Sequence, residues 1–500
     1  MNSSTRLQQL FTSATQCAAQ GDFAQAAAIF RQATEVDAKS FAAWCNLAAM
    51  YAELNQAEEA AAAARQAIAL QPNFGPAWAN LGDALRLTGR QADASFEAYR
   101  RAAALMPNSA ETLNKLGATL HIRGQFSDSA TVLRRALLLA PSYREARINL
   151  VTTLMSLQRA EDARTVLAEG TRLPGLPPEA LAEWRSGLSL LDENLRLRPL
   201  LAKAMDQADP EMLVEAVAAR GCEAPIDEAL VTTIQMALRK TPIAGNGCSA
   251  WRPELADTWY AVEAHFSAHL GETADSIKQS RSLLAAAVAG SPAAAARTYR
   301  PEERDALAYY LLCRRFPGGI AAGHGTPSSP QEANAWLRLL HAQLTWHRPE
   351  NTPGEYKVVA NSVSANPWAI RTPPAAVAGT VGTLFLDCYR TATPGPLRAA
   401  LVYFAIADIH PFPDGNGRLG RWLMNRELEA AGLCPVVYAG TMKRDFHHAL
   451  WAIRRDQDFG PFVRWLADCE ATNNAAVTSN AAAASISSIT LTLPVTRLLN

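Results

Sequence analysis

The chain has 500 residues, more than one compact core accommodates, and its 49% hydrophobic and 19% charged residues describe an ordinary folded protein of two or three domains. Lysine and arginine number 47 and so do aspartate and glutamate, so no global basic field points to nucleic acid and no acidic excess to a basic partner. Residues 1–10 are polar and lack the apolar run of a secretory signal, and no apolar stretch of about eighteen residues is present, so no membrane span is expected.

The first third is a repeat array. Trp44, Leu47 and Tyr51 recur as Trp78, Leu81 and Leu85, again as Leu113, Leu116 and Leu120, and again as Arg147, Leu150 and Leu154. Pro72, Pro107 and Pro141 keep the same step of about 34 residues. An earlier, weaker unit has Gly21-Asp22 at its turn and Ala26 and Phe30 on its second helix. The Trp-x2-Leu-Gly signature stands whole at Trp78–Gly82, and the segment resembles the tetratricopeptide (TPR) family, with about five repeats over residues 6–175. That resemblance implies pairs of short amphipathic helices stacked into a solenoid whose concave face takes a protein or peptide partner. A passive spacer or a dimerisation element is the competing reading.

Residues 176–326 read as a helical connecting region, broken at Pro174–Pro178, Gly221, Gly245–Gly247, Gly290–Pro292 and Pro317–Thr326. His265 and His269 stand four apart there, but a pair without a third ligand does not make a metal site. The eight cysteines are scattered without a CxxC pair, which favours free thiols over zinc or redox chemistry and a cytoplasmic location, with secretion left open. The tail, 471–500, is rich in Ala, Ser, Thr and Asn and is expected to be a loose low-complexity segment.

The chemistry-bearing segment is His410-Pro411-Phe412-Pro413-Asp414-Gly415-Asn416-Gly417-Arg418-Leu419-Gly420-Arg421. Leu401, Phe404 and Ala405 give a helix face before it, and Leu419, Trp422, Leu423 and Leu428 give another after it. The segment is therefore a loop joining two helices. It resembles the Fic family signature, HPFx[D/E]GNGRxxR, at every specified position. The likeness extends over about 327–470. Pro353-Gly354-Glu355-Tyr356-Lys357 is similar to the turn that opens the family's β-hairpin flap, with Lys357 where the family usually has Arg. The fold class expected is mainly α: a TPR solenoid, a helical middle, and an all-helical Fic fold with a small β-hairpin flap.

Elementary chemistry suits the residues to a nucleotide. A helix N-terminus offers unpaired N–H groups and the positive end of a dipole to phosphate. Gly415 and Gly417 let backbone approach, and Asn416 carries an amide donor. Arg418, Arg421 and Asn425 fall on one helix face, and two guanidinium forks can grip a polyphosphate. Asp414 is a hard oxygen ligand for magnesium. His410 can take the proton of an attacking hydroxyl. Phe412 reads as a core anchor.

The resemblance implies transfer of AMP from ATP, with Mg2+, to a Ser, Thr or Tyr hydroxyl of a protein target. His410 is then the base, Asp414 the magnesium ligand, Asn416 and the glycines the hold on the inner phosphates, and Arg418 and Arg421 the hold on the outer ones. The flap, near Lys357–Ala365, would align the target by strand-like pairing. Two other readings compete: transfer of UMP, phosphocholine or phosphate on the same scaffold, and a TPR adaptor whose nucleotide-binding loop is inactive. The unbroken Gly-Asn-Gly run favours the first.

Many members of the family carry an inhibitory helix, [S/T]xxxE[G/N]. The literal match, Thr165–Gly170, lies in the repeat register, with Glu169 equivalent to Gln66, Arg101 and Arg135, so no special role is expected of it. Thr298-x3-Glu302 is interrupted by Pro301. An inhibitory glutamate is then absent or supplied by a separate antitoxin-like protein.

Overall fold

A computed structural model describes residues 3–88, 92–207, 209–218, 225–240, 256–268, 274–289, 299–319, 326–360, 372–437 and 441–481. The described residues divide into two compact units, one up to Arg185 and one from Ser186 onwards. Among the described residues the regular structure is helical, with no strand.

The first unit is five helix pairs in chain order: α1 (Ser3–Ala19) with α2 (Phe23–Val36), α3 (Phe41–Glu53) with α4 (Ala57–Leu70), α5 (Gly75–Leu87) with α6 (Ala92–Leu105), α7 (Ala110–Ile122) with α8 (Phe126–Leu139), and α9 (Arg144–Ser156) with α10 (Ala160–Gly170). Each helix packs on its pair mate and successive pairs pack on one another, so neighbouring pairs cover each other's apolar faces. Small residues line it: Ala48, Ala60, Ala64, Ala84 and Ala98 are buried beside Leu47, Leu81 and Leu85.

The recurring Trp/Trp/Leu/Arg position has a polar reason as well. Trp44 Nε1 donates to the Ala38 carbonyl at 3.1 Å and Trp78 Nε1 to the Pro72 carbonyl at 2.8 Å. Arg147 Nη2 does the same to the Pro141 carbonyl at 2.7 Å. An arginine replaces a tryptophan because both pair a long flat body with an N–H that pins the preceding turn. Glu169, near the end of α10, is exposed on this unit.

The second unit contains α11 (Pro178–Gln207, entering from the boundary), α12 (Glu211–Ala218), α13 (Glu228–Lys240), α14 (Ala256–Ser267), α15 (Ala274–Val288), α16 (Pro301–Arg315), α17 (Pro330–Thr345), α18 (Val377–Thr391), α19 (Pro396–Ile409), α20 (Asn416–Ala430), α21 (Thr441–Asp456) and α22 (Gly460–Ala481). Its centre is α19, buried on almost every side from Arg398 to Ile409, as a helix apolar all round must be. It packs against α18, α20 and α22, while α17 packs against α12, α16, α18 and α20.

One apolar core runs from Leu197 through Tyr260, Tyr309, Trp336, Phe404 and Trp422 to Cys469. The connecting region and the loop-bearing region therefore share a core, and position 327 is no break in packing. The tail also differs from expectation: α22 continues to Ala481, and 482–500 lie outside the described residues. Residues 353–360 form no ladder, and 361–365 of the expected flap lie outside the described residues.

Candidate active site

The loop begins where α19 ends. His410 caps that helix in the left-handed region, φ 49°, with its N–H donating to the Ile406 carbonyl at 3.0 Å. A non-glycine residue there is held by its surroundings. The loop then closes on itself through Asn416, whose Oδ1 accepts from the Phe412 N–H at 3.0 Å and whose Nδ2 donates to the Phe412 carbonyl at 2.8 Å. Gly415, φ 81°, turns the chain into α20. A Cβ there would lie 3.0 Å from His341 Nε2, so conformation and space both call for glycine.

The first intrahelical bond of α20 runs from the Leu419 N–H to the Gly415 carbonyl. Among the described residues the N–H groups of Asn416, Gly417 and Arg418 make no hydrogen bond, so three donors stand at the positive end of the helix dipole. Gly417 is exposed beside them. Chemically this is a cradle of the kind that suits an anion.

Beneath the loop lies His341 of α17, fully buried and stacked on Phe412 with ring centroids 3.7 Å apart. The Gly354 N–H donates to His341 Nδ1 at 2.9 Å, which leaves the proton on Nε2 to donate to the Asp414 carbonyl at 2.8 Å. Burial pushes this imidazole down to about 3, the Asp414 carbonyl opposing, so it stays neutral. His341 therefore ties the 353–357 segment to the loop.

That segment is itself anchored. Arg338 of α17 lies over the Tyr356 ring at 3.9 Å and donates to the Gly354 carbonyl at 3.2 Å. Asn194 of α11 donates to the Tyr356 carbonyl at 2.8 Å, and Arg198 pairs with Glu355. Lys357, which follows, is buried; its N–H donates to the Pro411 carbonyl at 2.9 Å and its Nζ to the Ile409 carbonyl at 3.1 Å.

The sequence-predicted residues divide between the cradle and its supports. Burial pushes the His410 imidazole down to about 4, helped by the Lys357 charge and opposed by Asp414, so it is an unprotonated acceptor at neutral pH. Asp414 is exposed, with Oδ2 accepting from Asn351 Nδ2 at 2.7 Å and lying 3.5 Å from Arg418. Among the described residues no three His, Cys, Asp or Glu side chains cluster as a metal cage. One exposed carboxylate still suits a magnesium ion, which keeps waters and takes substrate phosphates beside a single protein ligand.

Arg418 pairs with Asp305 of α16, which also accepts from His347 Nε2 at 2.8 Å and Arg348 Nη2 at 2.6 Å. Burial alone would raise the Asp305 carboxyl, but His347 and the charges of Arg418 and Arg348 outweigh it and lower it. Arg421 donates through Nη2 to the Ser267 carbonyl at 3.2 Å, where α14 ends.

Asn425 parts from the expected group. Its Nδ2 donates to Glu263 Oε2 and to the Val436 carbonyl, each at 3.0 Å, and its Oδ1 accepts from the Val436 N–H at 2.9 Å. Buried with both amide hydrogens used, it braces α20 and has no donor left for phosphate. Asn416 likewise spends one amide hydrogen inside the loop.

Residues 333–428 match the model of the Fic/DOC family, and residues 18–85 match a tetratricopeptide-repeat model. The chain carries a Fic domain. It is 40% identical over 86 residues to proteins described as "Protein adenylyltransferase Fic" from Drosophila sechellia and Drosophila melanogaster, and 44% identical over 71 residues to that of Drosophila mojavensis. The matches cover 17% of this chain and 17% of each relative in the first two, and 14% of each in the third.

Among solved structures, the Thermus thermophilus TPR protein TTC0263 is 18% identical, covering 36% of this chain and 97% of its own, with a TM-score of 0.32. YrrB, described as a TPR protein with an unusual peptide-binding site, is 18% identical over 34% of this chain and 90% of its own, with a TM-score of 0.28.

The supports of the Fic loop escaped the sequence reading. His341, Asp305, Glu263 and Lys357's clamp lie far along the chain from the residues they hold. The one visible signal was Lys357 itself, standing where the family's flap usually has arginine.

Proposed function

We propose that the Fic domain transfers AMP from ATP to a hydroxyl side chain of a protein, and that the TPR repeats bind that target or another protein partner. The observation that carries this reading is the cradle: three unpaired N–H groups at the start of α20, with the neutral His410 at the other end of the same loop. Phosphate fits the first and an incoming hydroxyl fits the second.

In the reaction so read, the target hydroxyl oxygen bonds to the α-phosphorus, the bond from that phosphorus to the bridging oxygen of the β-phosphate breaks, and pyrophosphate leaves. The hydroxyl proton passes to the His410 imidazole. Asn416, Gly417 and Arg418 N–H groups hold phosphate oxygens, and the glycines keep side chains out of their way. The Arg418 and Arg421 guanidiniums, beside the cradle, take the outer phosphates. Asp414 would hold Mg2+, which neutralises charge on the phosphates when bound.

Incubation of the full chain with labelled ATP, UTP and CDP-choline tests the reading. Label from α-32P-ATP on protein, with none from the other two, is expected. Transfer from UTP or CDP-choline in its place would move the function to the other donor, and no transfer at all would leave an adaptor.

A further inference from the structure

We propose that Lys357 is a positioning residue for His410: it holds the base in its left-handed turn by bonding the carbonyls on both sides of it, and its ammonium sets how strongly the imidazole takes a proton. The inference rests on the reading of His410 as the base.

The geometry is a bracket. The Lys357 N–H reaches the carbonyl of Pro411, the residue after His410, at 2.9 Å. The Lys357 Nζ reaches the carbonyl of Ile409, the residue before it, at 3.1 Å. The peptide entering the positive-φ residue and the one leaving Pro411 are thus both held by one residue, through its side chain and its own backbone. Lys357 in turn cannot drift, since Tyr356 before it donates to Asn334 Oδ1 at 2.8 Å, stacks under Arg338 and has its carbonyl tied to Asn194.

The charge matters because the site is buried. Lys357 is 2% exposed, and burial pushes its ammonium down to about 7, with Asp227 opposing. Asp227 lies just before α13 and is itself engaged by Thr372 Oγ1 at 2.9 Å and the Leu230 N–H at 3.1 Å. His410 faces Lys357, which lowers it, and Asp414, which raises it.

An arginine at 357 would stay charged at every working pH. Lysine does not. Above about pH 7 its neutral amine can still donate to the Ile409 carbonyl, so the bracket persists while the positive charge beside the base disappears. His410 then becomes the stronger proton acceptor, and transfer accelerates.

Two measurements on the full chain test this. In the first, the His410 imidazole is titrated by NMR in histidine-labelled protein, assigned by the loss of its signal in His410→Ala. No nucleotide is needed. With Lys357→Met the His410 midpoint should rise by about one pH unit or more, and with Lys357→Arg it should stay near the parent value. An unmoved midpoint in folded Lys357→Met overturns the proposal.

In the second, label transfer from α-32P-ATP is followed from pH 5.5 to 8.5. The parent should show a several-fold rise in kcat centred near pH 7 with little change in KM. Lys357→Arg, which keeps both donors, should transfer without that rise. A Lys357→Arg profile identical to the parent's overturns the proposal even if Lys357→Met does not fold. A shifted His410 midpoint in a protein that transfers no label from any nucleotide would sustain the Lys357 assignment and sink the AMP-transfer reading.

Discussion

At the scale of single residues, His410 and its neighbours separate chemistry from grip. The imidazole belongs to the end of α19, whereas the unpaired N–H groups and both arginines belong to α20. Removing the base should leave the cradle standing. His410→Ala is expected to lower AMP transfer by about 100- to 10,000-fold, the usual worth of a general base, while ATP affinity by calorimetry stays close to that of the parent. Comparable transfer by the variant would remove His410 from the mechanism. The sequence displayed this residue and the loop around it because all of the loop's members are contiguous. Asn425 shows the limit of the same logic. Helical spacing put it on the arginines' face, but spacing carries no knowledge of Glu263 and Val436, which arrive from elsewhere in the chain and consume its amide.

At the scale of elements, the loop is precise because three helices and an irregular segment converge on it, and His341 is where they meet. It touches the Phe412 ring, the Asp414 carbonyl and the Gly354 N–H at once. In the sequence it is one more residue on an apolar helix, with no motif to mark it. Its buried neutral state has a consequence for stability. The folded-state value of about 3 lies below the ordinary 6.5, so between those values the unfolded chain binds a proton that the folded chain refuses. His410, at about 4, acts in the same direction. Stability is therefore complete above about pH 6.5 and falls as pH drops below it, with a slope of at most ~1.4 kcal/mol per pH unit for each histidine. His341→Phe keeps an aromatic ring on Phe412 and cannot be protonated. Urea unfolding from pH 7 to pH 4.5 should show a shallower decline for the variant than for the parent, although the variant starts less stable for want of two hydrogen bonds, by about 1–3 kcal/mol. Parallel declines would mean that His341 is not the buried neutral group described.

At the scale of the whole molecule, repeat periodicity was legible over most of the first unit, and the loop over a short stretch of the second. The connecting region was not, because its helices lack a motif and earn their place only through a core shared with α17, α19 and α20. Register also settles a local question. Glu169 is an exposed residue on the second helix of the fifth pair, so Glu169→Gly is expected to leave label transfer unchanged; a several-fold rise in self-modification with tighter ATP binding would give it a restraining role. The larger question is what the array is for. The two units are separately compact, and the supports of the Fic loop described above come from α11 onwards, among them Asn194, Asp305, Arg338, His341 and Lys357. A chain starting at residue 177 keeps all of α11 and hence all of those contacts. If the repeats serve recognition, this truncated protein should retain self-modification within about twofold of the full chain, since the chemistry is intact. It should lose at least about tenfold in kcat/KM toward a protein target captured by the full chain, with the loss in KM, because a docking surface adds binding that precedes the chemical step. Full-rate modification of that target by the truncated protein would make the array a spacer, and loss of self-modification with the fold intact by circular dichroism would give the repeats a part in the chemistry itself.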